Sequence, residues 1–266
     1  AFSDRFYKVC VANGKNATRV DIPWGEAIKP EKVREELSRG DFDSVTIVHN
    51  ETSTGVMSPL ADIAEVVAEQ DDVFLLVDAI TSAAAVPIHL GEMATVDYLA
   101  TGSQKALALP PGLALLAISD RALERAETIK NRGLYFDLLA MHKSWKKNQT
   151  PSTPTIALMQ ALKDRLAMIL ADEDGWYGGH QERADLTREW ARDRFGLFAE
   201  SGFESVSLTC IENTRGISIA DLNSALREND MFLSNGYGDL KEKTFRIGHM
   251  GAVTLDDTRE LLGLID

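Results

Sequence analysis

Cysteine is scarce in this chain: Cys10 and Cys210 are the only two among 266 residues. Two cysteines so far apart in sequence cannot build a disulfide framework or a cysteine-rich metal site. We therefore expect a protein of a reducing compartment, the cytoplasm, with no bound metal.

Basic residues and long apolar runs are also few. There are 28 lysines and arginines against 41 acidic residues, which gives a net charge of −13. A surplus of negative charge argues against nucleic acid or an anionic membrane surface as a partner. The most apolar stretch, residues 106–118, contains two prolines and a glycine and is shorter than the roughly 20 residues that cross a bilayer. We expect neither nucleic-acid nor membrane binding.

Short apolar segments alternate with helical patterns in the first half of the chain. Alternation of strand and helix predicts right-handed crossovers and an α/β fold with a mainly parallel sheet flanked by helices. The predicted strands are 44–49, 73–78, 98–103 and 113–119, and the predicted helices are 30–39, 59–69 and 121–130, the last capped by Asp120.

The pattern changes after a polar, proline-containing segment at 144–154. We predict a large domain over 1–150, a connecting long helix within 151–175, and a small C-terminal α+β domain over 176–266. Predicted helices are 155–171, 177–201, 221–229 and one after Thr254, and predicted strands are 206–210, 215–219 and 244–247.

A lysine and an aspartate follow two of the predicted strands. Lys105 ends the segment VDYLATGSQK (96–105), which precedes PPG at 110–112, and Asp78 ends FLLVD (74–78). Ligands of open α/β sheets bind outside the carboxyl ends of the strands. Pyridoxal phosphate needs an amine for a Schiff base and an anion for its pyridine nitrogen. The ordinary alternatives are a solvated surface lysine and an aspartate that caps a helix.

The stretch 96–116 resembles the lysine signature of class V, fold-type I pyridoxal-phosphate aminotransferases, in the alanine–glyoxylate and serine–pyruvate branch. The likeness extends from Phe2 to the last helix. It implies the fold of those transferases in an N-terminally truncated form, because the family's first strand and phosphate-binding loop would precede Phe2. It also implies pyridoxal phosphate as cofactor and a homodimer.

The resemblance assigns roles to individual residues. Lys105 would form the Schiff base, and Asp78 would pair with the pyridine nitrogen. The cofactor contacts it implies are Phe2 stacked on the ring, Ile80 on a ring face, and hydrogen bonds from Thr52 and Gln104.

Two later segments complete the implied site. In QTPSTP (149–154), Thr153 would reach the cofactor phosphate of the neighbouring subunit; alternatively it caps the long helix in a plain linker. In FRIGHMG (245–251), Arg246 would bind the substrate carboxylate through its planar fork, the alternative being an internal salt bridge. The loop 234–238 would fold over a bound amino acid.

The implied reaction transfers an amino group from an L-amino acid, alanine or serine, to glyoxylate or pyruvate by ping-pong kinetics. Phosphoserine is an alternative donor, and a lyase or desulfurase reaction is an alternative on the same fold. A desulfurase needs a mobile cysteine, whereas Cys10 is predicted in a helix and Cys210 in a strand. A further alternative is a non-catalytic fragment that lacks the phosphate-binding loop.

Overall fold

A computed structural model describes residues 1–93 and 95–266 of the chain. The helices are α1 (Phe2–Ala12), α2 (Pro30–Leu37), α3 (Leu60–Ala68), α4 (Asp120–Thr128), α5 (Leu138–Trp145), α6 (Ile156–Ala171), α7 (Glu173–Arg194), α8 (Ile219–Arg227) and α9 (Leu255–Ile265). The strands are β1 (Ser44–Val48), β2 (Asn50–Glu51), β3 (Val56–Met57), β4 (Phe74–Asp78), β5 (Val96–Gly102), β6 (Ala114–Ile118), β7 (Leu208–Glu212), β8 (Ser234–Asn235) and β9 (Thr244–Gly248). In these described ranges no helix is long and apolar enough to cross a membrane.

The first sheet has the strand order β1-β4-β5-β6. Strands β1, β4 and β5 run parallel, and β6 is antiparallel to β5. Val48 pairs with Asp78, and Asp78 pairs with Ala100, so the carboxyl ends of the parallel strands lie at one edge. This arrangement confirms the predicted α/β fold with a mainly parallel sheet.

Side-chain periodicity explains how helix α3 covers this sheet. Leu60, Ile63 and Val67 recur at helical spacing and are buried, Ile63 and Val67 completely. They belong to the same apolar cluster as Leu75 and Val77, alternate residues of β4 that point into the core. Burial of each such side chain contributes about 1.5–3 kcal/mol, so the strand ends stand on a rigid layer.

A second apolar cluster holds the C-terminal part together. Strands β7, β9 and β8 form an antiparallel sheet in that order. Phe245 and Ile247 of β9, Ile211 of β7, and Trp190 of α7 meet in its core. The cluster confirms an α+β arrangement here, while the exact domain boundaries 1–150, 151–175 and 176–266 stay a prediction.

Two local expectations are wrong. Residues 215–219 are not a strand: the Asn213 side chain bonds to both the N–H and the carbonyl of Ile217, which turns the chain, and Ser218 then caps α8. Helix α4 is capped by Ser119 rather than Asp120, because the Ser119 hydroxyl accepts the Ala122 N–H at 3.0 Å.

Candidate active site

Three loops meet at the carboxyl edge of the parallel strands. Thr52 follows the short strand β2, which ends at Glu51; the loop after β4 follows Asp78, the last residue of that strand; and the turn after β5 carries Lys105. The Thr52 hydroxyl lies 2.6 Å from the hydroxyl of Thr81, which joins the first two loops. The sheet therefore places the predicted lysine and aspartate at the edge expected for a ligand.

Asp78 and Lys105 influence each other through charge. Burial raises the pKa of the Asp78 carboxyl, and the Ile80 N–H, which donates to Oδ1 at 2.9 Å, works in the opposite direction. Burial also lowers the pKa of the Lys105 amine; Arg246 lowers it further, and Asp78 opposes the shift. A depressed lysine pKa increases the fraction of neutral amine, which is the nucleophilic form.

Arg246 projects from β9 toward the same edge. Its Nη1 donates to the Thr52 carbonyl at 3.1 Å, and its Nε and Nη2 donate to the Asn235 carbonyl at 3.3 and 3.1 Å. These acceptors are neutral, so the predicted alternative of an internal salt bridge is not what holds the guanidinium. Burial lowers its pKa, and the charge of Glu51 partly offsets the effect. Its positive charge remains available to an anionic ligand.

The aromatic residue at the start of α1 lies beside the loop that precedes β9. The ring centroids of Phe2 and Tyr237 are 5.8 Å apart, and the Arg246 guanidinium lies 6.0 Å from the Tyr237 ring. The segment 234–238 therefore contacts both the predicted ring-stacking residue and the predicted carboxylate ligand. Tyr237 was not among the predicted site residues.

Glu51 is the second site residue that sequence reasoning missed. One carboxylate oxygen accepts the N–H groups of Phe2 and Ser3 at 2.9 and 3.3 Å, and the other accepts the Ser53 N–H at 3.0 Å. Burial raises the pKa of the Glu51 carboxyl, whereas the hydrogen bonds from the Ser53 N–H and hydroxyl and the charge of the Ala1 amine lower it, and the net shift is downward. Glu51 thus holds the start of α1 against the loop that carries Thr52. An acidic residue inside a polar strand-end loop was the only sequence signal for it.

The remaining predicted residues differ in how closely they join this group. Ile80 is half-buried two residues after Asp78, whereas Gln104 is exposed, with its side-chain amide close to Gly102. Thr153 lies exposed in the segment before α6. Helix α6 begins at Ile156 with Thr155 at its N-cap, so Thr153 does not cap it.

Comparison with known proteins identifies the class to which this fold and site belong. Residues 7–236 match the model of the family "Aminotransferase class-V". The chain belongs to this family. Similar proteins include aminotransferases, one of them of known structure. Membership of this family implies pyridoxal phosphate as the cofactor.

Three similar proteins illustrate the range of names and identities among the matches. The L-aspartate–glyoxylate aminotransferase of Paracoccus denitrificans is 32% identical over 272 residues, 99% of this chain and 68% of that protein. The soluble hydrogenase small subunit of Synechococcus sp. is 33% identical over 258 residues, 95% of this chain and 67% of that protein. The crystal structure of alanine–glyoxylate aminotransferase from Nostoc sp. superposes with a TM-score of 0.93 at 28% identity, over 100% of this chain and 72% of that one. The chain spans about two thirds of the length of its curated relatives.

Proposed function

We propose that this protein is a pyridoxal-phosphate-dependent aminotransferase. It moves an amino group from an L-amino acid, alanine or serine, to a 2-oxo acid, glyoxylate or pyruvate. The observation that carries the proposal is that Lys105 and Asp78 lie at one edge of the first sheet, where the Arg246 side chain reaches the Thr52 carbonyl. All three side chains are half-buried, and the charges of Asp78 and Arg246 both act on the Lys105 amine. The relative named for aspartate and glyoxylate adds L-aspartate to the donors that need testing.

The residues present fit the cofactor. Asp78 uses Oδ1 to accept the Ile80 N–H, and burial makes its negative charge costly. A protonated pyridine nitrogen next to its other oxygen would compensate that cost. Lys105 supplies the amine, Thr52 and Gln104 the hydrogen bonds, and Phe2 and Ile80 the apolar ring contacts. Pyridoxal phosphate, when bound, supplies an aldehyde carbon and a ring that withdraws electrons from the substrate Cα.

The chain's own groups then divide the work of transamination. Arg246 holds the substrate carboxylate and so orients the Cα–H bond toward the lysine. Lys105 Nζ would remove the Cα proton as a general base and then, as a general acid, deliver that proton to the C4′ carbon of the cofactor, for which a lowered pKa is suited. Asp78 keeps a negative charge where positive charge must be stabilised throughout the reaction.

Cysteine chemistry does not suit this site. Cys210 lies in β7 with 1% of its surface exposed, and its Sγ approaches the Ser53 carbonyl at 3.8 Å. Burial raises the pKa of its thiol to about 11, so it is a poor nucleophile at neutral pH. Cys10 belongs to α1 and is also a free thiol. These positions favour transamination over a desulfurase reaction. We also propose that the protein is cytoplasmic, because free cysteines are typical of a reducing compartment.

Exposed large apolar side chains support our proposal of a homodimer. The stretch 134–156, which includes Thr153, carries large apolar side chains that are at least 70% exposed: Leu134, Phe136, Trp145 and Ile156. Self-association would bury these side chains on both copies. We propose that the dimer brings Thr153 to the cofactor phosphate of the neighbouring subunit.

Chemical trapping tests the lysine. Borohydride reduction of the protein with its cofactor should add one pyridoxyl mass to the peptide that contains Lys105. The Lys105→Arg variant should not be labelled there, whereas exposed Lys241, changed to arginine as a control, should leave labelling unchanged. A pyridoxyl group on another lysine would refute the assignment.

A donor and acceptor screen tests the reaction. Alanine, serine, aspartate and phosphoserine are offered with glyoxylate or pyruvate, and formation of the new amino acid is measured. Transfer from alanine or serine supports the proposal, and exclusive use of phosphoserine supports the alternative donor. Labelling at Lys105 without transfer to any acceptor would contradict the proposed reaction.

A further inference from the structure

Helix α7 of the C-terminal part reaches the loop that follows Asp78. The indole Nε1 of Trp176 donates to the carbonyl of Ala84 at 2.6 Å. Ala84 has φ of +65°, a left-handed conformation that is unfavourable for a non-glycine residue. The hydrogen bond from α7 therefore stabilises a backbone conformation that alanine would not keep by itself.

His180 lies one turn further along α7 and makes two backbone contacts. Its Nδ1 is 2.8 Å from the Trp176 carbonyl, and its Nε2 is 2.9 Å from the N–H of Gly251. A carbonyl only accepts and an N–H only donates, so the ring is neutral with its proton on Nδ1. Burial lowers the imidazole pKa, and nearby Arg183 adds to this effect, which agrees with a neutral ring.

Gly251 in turn lies against the turn that begins at Lys105. Its φ is +75°, and a Cβ at this position would come within 3.3 Å of the Lys105 carbonyl oxygen and 3.1 Å of the Ala108 Cβ. The same Lys105 carbonyl accepts the Ala108 N–H at 2.8 Å, and Ala108 also has a positive φ, +54°. The backbone of Gly251 thus supports the outside of a tight, strained turn.

We propose that His180 is a positioning residue, which sets the separation of the Lys105 amine and the Asp78 carboxylate. It acts through Gly251 on the Lys105 turn and through Trp176 on the loop after Asp78. This inference rests on the proposed roles of Lys105 and Asp78. A neutral, fully buried histidine between two backbone segments is suited to this task, because both ring nitrogens have fixed partners.

Two amide substitutions of His180 distinguish the roles of its two ring nitrogens. A glutamine side chain places its oxygen near the position of Nε2 and can accept the Gly251 N–H, whereas an asparagine nitrogen lies near Nδ1 and can donate only to Trp176. His180→Gln should therefore keep the Lys105 turn in place and His180→Asn should release it. Thr187→Val is the matched control, since it removes another buried hydrogen bond of α7, to the Arg183 carbonyl, away from Gly251.

The first measurement is the pKa of Lys105 in the cofactor-free protein, taken from the pH dependence of its acylation as followed by peptide mass spectrometry. Release of the turn exposes the amine, so His180→Asn should raise this pKa toward 10.5, the value of an unburied lysine. His180→Gln and Thr187→Val should leave it unchanged. A loss of thermal stability in all three variants without a change in the Lys105 pKa would show a merely structural role and overturn the proposal.

The second measurement is steady-state kinetics. Misplacement of a reacting group by about 1 Å costs on the order of 100-fold in rate, so His180→Asn should lower kcat by about 10- to 100-fold with little change in KM. His180→Gln should keep kcat close to the parent value, and an equal decrease of kcat in both variants would contradict the inference. If the parent protein transfers no amino group, the proposed function fails, and the Lys105 pKa comparison still decides the role of His180.

Discussion

Replacing Arg246 with lysine separates charge from geometry in the candidate substrate site. The parent guanidinium uses Nη1 on the Thr52 carbonyl and both Nε and Nη2 on the Asn235 carbonyl. Lysine keeps the positive charge but has one nitrogen on a flexible chain, so it cannot serve both carbonyls and a planar carboxylate. Arg246→Lys should therefore weaken substrate binding while the cofactor residues stay in place.

The size of the effect follows from the bonds that are lost. A hydrogen bond to a charged group contributes about 1.5–3 kcal/mol, and lysine offers a carboxylate one directed bond where arginine offers two. The loss of one such bond corresponds to an increase in KM of about 10- to 100-fold, at roughly 1.4 kcal/mol per factor of ten. Because every donor and acceptor carries the same α-carboxylate, both half-reactions should be affected equally.

The assay compares three quantities: KM for the amino donor, KM for the oxo acid, and the dissociation constant of the cofactor. Arg259→Lys is the control, since Arg259 makes an exposed ion pair with Asp256 at 2.9 Å, on the last helix. Unchanged KM values for both substrates in Arg246→Lys would refute the assignment and leave Arg246 as a structural link between Thr52 and Asn235. An increased cofactor dissociation constant with unchanged KM would place Arg246 in the cofactor site.

Two further predictions concern charge and pH. Asp78→Asn keeps an acceptor for the Ile80 N–H but removes the negative charge that raises the Lys105 pKa. The pKa of the Lys105 amine in the cofactor-free protein should therefore fall below the parent value, and an increase would contradict the electrostatic argument. Burial lowers the pKa of His249 to about 3 from 6.5, so below pH 6.5 the unfolded chain binds a proton that the folded chain refuses. The free energy of unfolding should therefore decrease as the pH falls from 6.5 toward 3, by up to about 1.4 kcal/mol per pH unit from this group. Denaturant titrations at several pH values should show that the free energy of unfolding of His249→Gln depends less steeply on pH than that of the parent protein. The same pH dependence in both proteins would exclude His249 as its source.

The position of the lysine and aspartate could be predicted because it depends on local order. A buried strand that ends in a polar residue places that residue at the carboxyl edge of a parallel sheet whatever the rest of the chain does. Residues 74–78 satisfy this condition with Asp78 as the last residue of the strand, and in residues 96–105 a short polar turn after the strand carries Lys105 to the same edge. The fold class follows from the same alternation of strands and helices.

The contacts that complete the site could not be predicted because they join distant segments. Glu51 receives the N–H of Phe2, and Arg246 reaches the carbonyl of Thr52, across separations of 49 and 194 residues. Neither acceptor has a sequence pattern that distinguishes it from an ordinary polar residue. The wrong strand at 215–219 has a related cause: its alternating apolar residues satisfy the period of a strand, but the Asn213 side chain turns the backbone there.

The 194-residue separation between Arg246 and Thr52 has a consequence for biosynthesis. Ribosomes deliver the chain from its N-terminus, so β1, β4 and β5 can assemble while β9 has not yet emerged. At that stage Lys105 and Asp78 already lie on neighbouring strands, but the guanidinium, Tyr237 and the histidine of α7 have not joined them. Non-local contacts of this kind form late because their loop-closure entropy must be overcome first. A growing chain therefore acquires its amine and carboxylate before Arg246, the proposed ligand of the substrate carboxylate, and substrate binding would be the last property of the site to mature.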